Sequence, residues 1–355
     1  MSAPRSFLVV SLRYIGDVLL STPLARSIRT AWPGAAVDYL VFEGTESILE
    51  GNTDVRRVFT VRPGTRDLGD ILRRWNRYDV SLGVNASDRT ALQLVAAGRK
   101  SIGFADPGPK EWWKRRALTH CSTYDPGRHV VELLLGQLRF LGILSAPEVV
   151  VPVREEEKAA AREATGGREF ILLHPCTRWE YKKWPAANWA GLCRRIEEET
   201  GTRALFTAAP GPFERRILEE IRAEGIEESR FLPGGMPLGR TAALVSLANA
   251  YVGVDTVVTH MAAALGKKTV AIFGPTPPWR WGPWPNGYKG AQPYPRHGGI
   301  QRQGNVVIVQ KDWDCVACDR MGCYHRRDST SRCLTELLPG EVYEEFRRLV
   351  GKAWA

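Results

Sequence analysis

The chain has 355 residues, enough at roughly 150 residues per domain for two domains, each with its own core. A hydrophobic content of 44% and a charged content of 25% are ordinary for a globular enzyme. No apolar run approaches the roughly 18 residues that span a bilayer, and the 49 lysines and arginines against 39 acids give a net charge of +10, which attracts anionic partners without naming one.

Taken in chain order, Phe7–Leu12 reads as a strand. The residues before it lack the basic region of a signal peptide, so the chain is expected to open directly on its fold. A helix follows through Arg29, marked by Leu19, Leu20, Leu24 and Ile28. Asp17 stands directly after Gly16 where strand becomes helix. A carboxylate there can cap the helix, contact a nucleotide or act as a base. "AAVDYLVF", "VRRVFTV" and the end of "LGDILRRWNRYDVSLGV" read as further strands, with "TESILEGN" and "LGDILRRW" as helices between them. Apolar runs separated by amphipathic helices imply a parallel sheet covered on both faces. Arg99–Arg128 is locally basic, and serves either as a solvated face or as a contact for anions.

After Leu144 a proline-containing, charged stretch reads as the connection between domains, placing an N-terminal Rossmann-like domain at 1–150 and a second at 151–340. The alternation then restarts with "EFILLHP" (strand), "NWAGLCRRIEEETG" (helix), "RALFTAA" (strand) and "FERRILEEIRAEG" (helix). "LVSLANA" (helix), "YVGV" (strand), "THMAAALG" (helix) and "KTVAIFG" (strand) complete it. The residues 341–355 read as an amphipathic C-terminal helix.

Open parallel sheets bind ligands beyond the carboxyl ends of their strands. Three segments of the second half stand there. "HPCTRWEYKKWP" offers Thr177, Lys182 and Lys183 before a helix start, the groups that phosphate recognition needs. In "GVDTVVTHMAAALG", Asp255 or Thr259 can cap the helix carrying His260, or the turn can present free amides to an anion. "FGPTPPWRWGPWP" suits a rigid wall. No G-x-G-x-x-G follows the first strand, and neither a P-loop nor a G-x-S-x-G occurs, which disfavours those chemistries. Near the end, Cys315, Cys318, Cys323 and Cys333 either share a structural metal or form a reduced, packed cluster.

Together, "RYIGDVLLSTPL", "HPCTRWEYKKWPAANWAGL", "YVGVDTVVTHMAAALGKKTVAIFGPT" and "CVAC…C…CL" resemble the bacterial lipopolysaccharide heptosyltransferases, glycosyltransferase family 9. The resemblance covers most of the chain. It implies an α/β fold of GT-B type, two Rossmann-like domains facing across a cleft, with the C-terminal helix crossing back to the first. It implies an inverting glycosyltransferase without cofactor or catalytic metal. Such an enzyme moves heptose from ADP-L-glycero-D-manno-heptose to the lipopolysaccharide inner core, at the cytoplasmic face of the inner membrane. By motif, Asp17 matches the general base and Lys182 the diphosphate lysine, with Lys183 the alternative if the register differs. Thr177, Asp255, Thr256 and His260 match donor-site positions, Met236 a contact to the nucleotide base, and Glu214, slightly displaced, the ribose ligand. Cys176 stands where a hydroxyl residue is often found. Arg13, Lys114 and Arg115 are the expected acceptor contacts. The alternatives are a GT-B enzyme using another nucleotide-sugar for a different surface glycan, or a basic zinc-containing nucleic-acid-binding protein. No recognised nucleic-acid module supports the last of these.

Overall fold

The computed structural model describes residues 3–64, 73–209 and 211–351. It forms two compact units, Met1–Pro152 and Val153–Ala355. The helix expected from residue 68 lies mostly outside the described residues.

The first unit runs β1 (Ser6–Ser11), α1 (Ile15–Leu20), α2 (Thr22–Ala31), β2 (Ala36–Phe42), β3 (Arg57–Val61) and β4 (Tyr78–Gly83). It continues with α3 (Asp88–Ala97), β5 (Gly98–Ala105), α4 (Trp112–Ala117), β6 (His120–Thr123) and α5 (Val130–Leu135). Its six strands lie in the order β3-β2-β1-β4-β5-β6, and every paired strand is parallel. Phe7, Leu8, Val9 and Val10 are all fully buried, because a central parallel strand is covered on both faces. The chain leaves β1 in one direction toward β2 and returns on the other side at β4. The carboxyl ends of β1 and β4 therefore flank the switch point where open α/β sheets hold ligands.

The single helix expected after β1 is two. Pro23 has no amide hydrogen, so the bond it would give the carbonyl of Leu19 cannot form. The Thr22 hydroxyl donates to that carbonyl instead, at 2.7 Å, and the Ser21 hydroxyl donates to the Val18 carbonyl at 2.8 Å. The break keeps α1 short, and Asp17 lies in its first turn because the helix starts at Ile15 after the N-cap Tyr14.

The second unit runs α6 (Glu155–Thr165), β7 (Phe170–His174), α7 (Ala186–Thr200), β8 (Arg203–Phe206), α8 (Pro212–Ala223) and α9 (Leu238–Leu247). Then come β9 (Ala250–Val254), α10 (Val257–Ala264), β10 (Lys268–Ile272), α11 (Pro278–Trp281) and the pair β11 (Gln301–Gln303) and β12 (Val306–Val309). Two helices end it, α12 (Arg332–Thr335) and α13 (Pro339–Val350). The strand order is β11-β12-β10-β9-β7-β8, parallel except for the β11–β12 pair. Neither β11 nor β12 is in the sequence reading. "VVIV" is apolar on both faces, as a buried strand should be, and Gly304, at φ 57°, supplies the turn before it.

The expectation for the final helix was a path back toward the first domain. Its apolar residues Val342, Tyr343, Phe346 and Val350 belong to the core of the second unit, with Trp184 and Trp189. The indole of Trp184 and the amide of Asn188 both donate to the Leu337 carbonyl just before it, at 2.9 and 3.0 Å. That core is what its apolar face serves.

Candidate functional site

In the second unit His174 is level with Gly253, and Val254 with Ile272. The loops after β7, β9 and β10 therefore leave one carboxyl edge together. From the first loop, Lys182 Nζ reaches Asp255 Oδ2 at 2.5 Å. Lys183 turns elsewhere, to Glu220 at 2.5 Å and Glu180 at 3.5 Å, so the register puts Lys182 at the site. Thr177 is buried and its hydroxyl accepts the Trp179 amide at 3.2 Å, which shapes the loop between them.

Asp255 is also buried. Burial pushes its carboxyl up, but the Lys182 ammonium, its hydrogen bond, His260 and Thr276 outweigh that and hold it below the usual carboxylate range. His260 is pushed down to about 4, first by burial and then by Lys182, with Asp255 pulling the other way. Its imidazole is thus neutral at physiological pH.

Neither residue expected to cap α10 does so. Asp255 is engaged by Lys182, and the Thr259 hydroxyl donates to the Val254 carbonyl at 2.5 Å. Thr256 is the N-cap by backbone position and makes no side-chain cap bond. The first-turn amides of α10 remain the donors that an anion would take, beside a lysine.

Glu214 lies in the first turn of α8, where its carboxylate accepts the Ala209 amide at 2.5 Å; burial raises it despite that bond. Met236 is packed in a core cluster with Leu232, Ala243 and Leu244, a sufficient structural reason for a methionine there. Two residues that sequence reasoning missed stand near Lys182 and Asp255. Arg280, from α11, lies 3.8 Å from Asp319 of the cysteine-rich segment, and Asp319 interacts electrostatically with both Lys182 and Asp255. Arg280 was inside the quoted tryptophan-rich loop, but only the fold turns it to this edge.

In the first unit Asp17 is 8% exposed, directly beyond β1. It is not a cap: Tyr14 is the N-cap and no side chain caps α1. The Arg13 guanidinium lies 3.4 Å from its Oδ1, one helical turn back. Burial lowers the Arg13 pKa, but Asp17 and Tyr124 more than compensate and raise it.

The expected acceptor residues fare unevenly. Lys114 is 2% exposed, paired with Asp88 at 2.7 Å and with Glu111, and donates to the Ala86 carbonyl at 2.5 Å. Its charge is consumed inside the unit, so it is a structural lysine and not a contact for an anion. Arg115 is exposed, with its guanidinium tied to the Asp106 and Gly108 carbonyls at 2.9 and 3.0 Å.

Among the described residues no group of three or more His, Cys, Asp or Glu side chains is placed to hold a metal ion. Cys333 is buried, and its thiol is pushed up to about 12 by burial and by the neighbouring Cys318, Cys323 and Cys315. The Arg332 amide donates to Cys323 Sγ at 3.3 Å.

His174, like His260, is buried and pushed down to about 4, mainly by burial. Both folded values lie below the unfolded one, so their contribution to stability is complete above about pH 6.5 and is lost as pH falls toward 4. Each accounts for at most about 3 kcal/mol. The melting temperature is expected to be flat above pH 6.5 and to fall below it, with a shallower fall in His260→Asn. An unchanged slope in that variant would show that His260 does not bury a neutral ring.

The family model for glycosyltransferase family 9 (heptosyltransferase) matches residues 67–294. Lipopolysaccharide heptosyltransferase 1 of Pseudomonas aeruginosa is 27% identical over 346 residues, 93% of this chain and 90% of that protein. Lipopolysaccharide heptosyltransferase 3 of Escherichia coli is 25% identical over 295 residues, 78% of this chain and 85% of that protein. The structure of E. coli ADP-heptose lps heptosyltransferase II superposes with a TM-score of 0.73 at 20% identity, covering 97% of this chain and 98% of that one, which establishes the GT-B fold. Two parallel sheets with ligand-ready carboxyl edges, and a family match over well more than half of the sequence, lead to one conclusion: the chain belongs to glycosyltransferase family 9, the heptosyltransferases.

Proposed function

We propose that the chain is an inverting, metal-independent transferase that moves heptose from ADP-L-glycero-D-manno-heptose to the inner core of lipopolysaccharide. The observation that carries the donor half is the Lys182–Asp255 pair beside the uncapped N-terminus of α10. An ammonium and first-turn amides are what a leaving diphosphate needs, since negative charge grows on it as the glycosidic bond breaks. A divalent cation is not required where these groups neutralise that charge. Neutral His260 adds a hydrogen-bonding group without further charge.

Asp17 supplies the other half. Its carboxylate accepts the proton of the acceptor hydroxyl as that oxygen attacks the anomeric carbon, and the carbon–oxygen bond to ADP breaks on the opposite face. One displacement inverts the configuration. Arg13 orients the carboxylate through Oδ1. The acceptor is lipid-linked, so the enzyme works at the cytoplasmic face of the inner membrane as a peripheral protein. Among the described residues no helix is long and apolar enough to cross a membrane, and the net charge of +10 suits an anionic surface. The relatives' printed activities, lipopolysaccharide heptosyltransferases 1 and 3, support the same substrate class.

The test is a transfer assay with heptose-deficient lipopolysaccharide and a panel of ADP-, UDP- and GDP-sugars, with the product anomer read by NMR. Turnover is expected with ADP-heptose alone and with inverted configuration. Preference for a UDP- or GDP-sugar would replace the donor, and retention would remove the single displacement.

A further inference from the structure

The cysteine-rich segment has no role in the chemistry above, yet it delivers a carboxylate to the donor edge. Asp319 follows Cys318 and has left-handed backbone, φ 54°, a conformation aspartate adopts more readily than most side chains. Its amide donates to the Pro275 carbonyl at 2.8 Å, tying the segment to the turn beyond β10. Its carboxylate lies 3.8 Å from Arg280 Nη1 and interacts with the charges of Lys182 and Asp255. The side chain nevertheless stays 57% exposed. Asp255 is engaged by Lys182, whereas Asp319 is held loosely by one cation and open to solvent.

A carboxylate in this place is a poor partner for a diphosphate, which it repels. Ionised, it only accepts hydrogen bonds, so what it can bind is a group rich in O–H or N–H donors. In a nucleotide-sugar those groups are the two sugars and the base. Glu214 is the carboxylate on the β8 side of the sheet, whereas Asp319 neighbours the two residues assigned to the diphosphate. The group joined to the far side of that diphosphate is the transferred sugar. We propose that Asp319 recognises the donor's transferred sugar by accepting hydrogen bonds from its hydroxyls, with Arg280 holding the carboxylate in position. The inference rests on the donor reading of the Lys182–Asp255 site.

The experiment compares binding of ADP and of ADP-heptose, without acceptor, to the wild-type chain and to Asp319→Asn by calorimetry. A hydrogen bond to a charged group carries about tenfold in affinity. The variant is therefore expected to bind ADP at least as tightly as the wild type, with one repelling charge removed, and ADP-heptose about tenfold more weakly. Arg280→Gln should shift ADP-heptose binding in the same direction. Equal ADP-heptose affinity in wild type and Asp319→Asn overturns this inference alone. Equal weakening of both ligands also overturns it, because the loss then concerns the nucleotide or the fold. Failure of the wild type to bind either ligand defeats the donor-site reading itself, and this inference with it.

Discussion

Asp17→Asn is expected to lower kcat by about 10²–10⁴-fold, the usual contribution of a positioned general base. The replacement keeps the size of the side chain and its place in the first turn of α1, but removes the proton acceptor. Donor affinity should be unchanged within about twofold, because the groups assigned to ADP all lie in the second unit. ADP release assayed under saturating donor reads the first effect, and calorimetry with ADP reads the second. Arg13 provides the control. Arg13→Gln leaves the carboxylate but removes its ion pair, so it should cost less in kcat than Asp17→Asn while acting in the same direction. Wild-type turnover in Asp17→Asn would remove the residue as base and return it to a structural role. Its burial, with only 8% of the residue exposed, and the Arg13 pair would then be its whole explanation.

Periodicity and strand-end position made the two sheets and most of their helices legible, because a parallel sheet with both faces covered leaves runs such as "FLVV" and "YVGV" between amphipathic segments. What escaped was decided by particular groups. Pro23 splits a helix that hydrophobic spacing alone joins, and "VVIV" forms an inner strand without the alternation that marks a strand with one wet face. Residue types and strand-end positions pointed to Asp255 and to a lysine at 182 or 183, and the fold decides between the two by pairing Lys182 with Asp255 and Lys183 with Glu220. Lys114 was misread for an instructive reason. A lysine beside Trp113, Arg115 and Arg116 looks like surface charge, and only the tertiary structure adds Asp88 and the Ala86 carbonyl to the local Glu111 to bury it. Asp319 lay beyond reach because its partner Arg280 and the charge of Lys182 are met only through the fold.

The Lys182–Asp255 pair separates catalysis from stability, because both depend on it in different ways. Lys182→Ala is expected to lower kcat/KM by about 10²–10³-fold, the loss seen when one preorganised stabiliser of developing charge is removed. It also leaves Asp255 buried without its cation. Breaking a buried pair costs about 3–5 kcal/mol, and the lower end applies here because the Lys182 side chain retains 20% exposure. With the ammonium gone, burial remains as the leading influence on Asp255 and pushes its carboxyl up. The folded variant then binds a proton more readily than the unfolded chain. Its stability deficit relative to wild type should therefore shrink as pH falls from 7.5 to 5. Lys182→Ala combined with Asp255→Asn should recover much of the melting temperature, since no unpaired charge is then buried, without recovering activity. Lys183→Ala is the contrasting variant: it breaks contacts to Glu180 and Glu220 and should leave ADP affinity unchanged within about twofold. If the double variant regained turnover with its stability, Lys182 would be a structural partner of Asp255 alone, and the diphosphate would have to be held by the amides of α10.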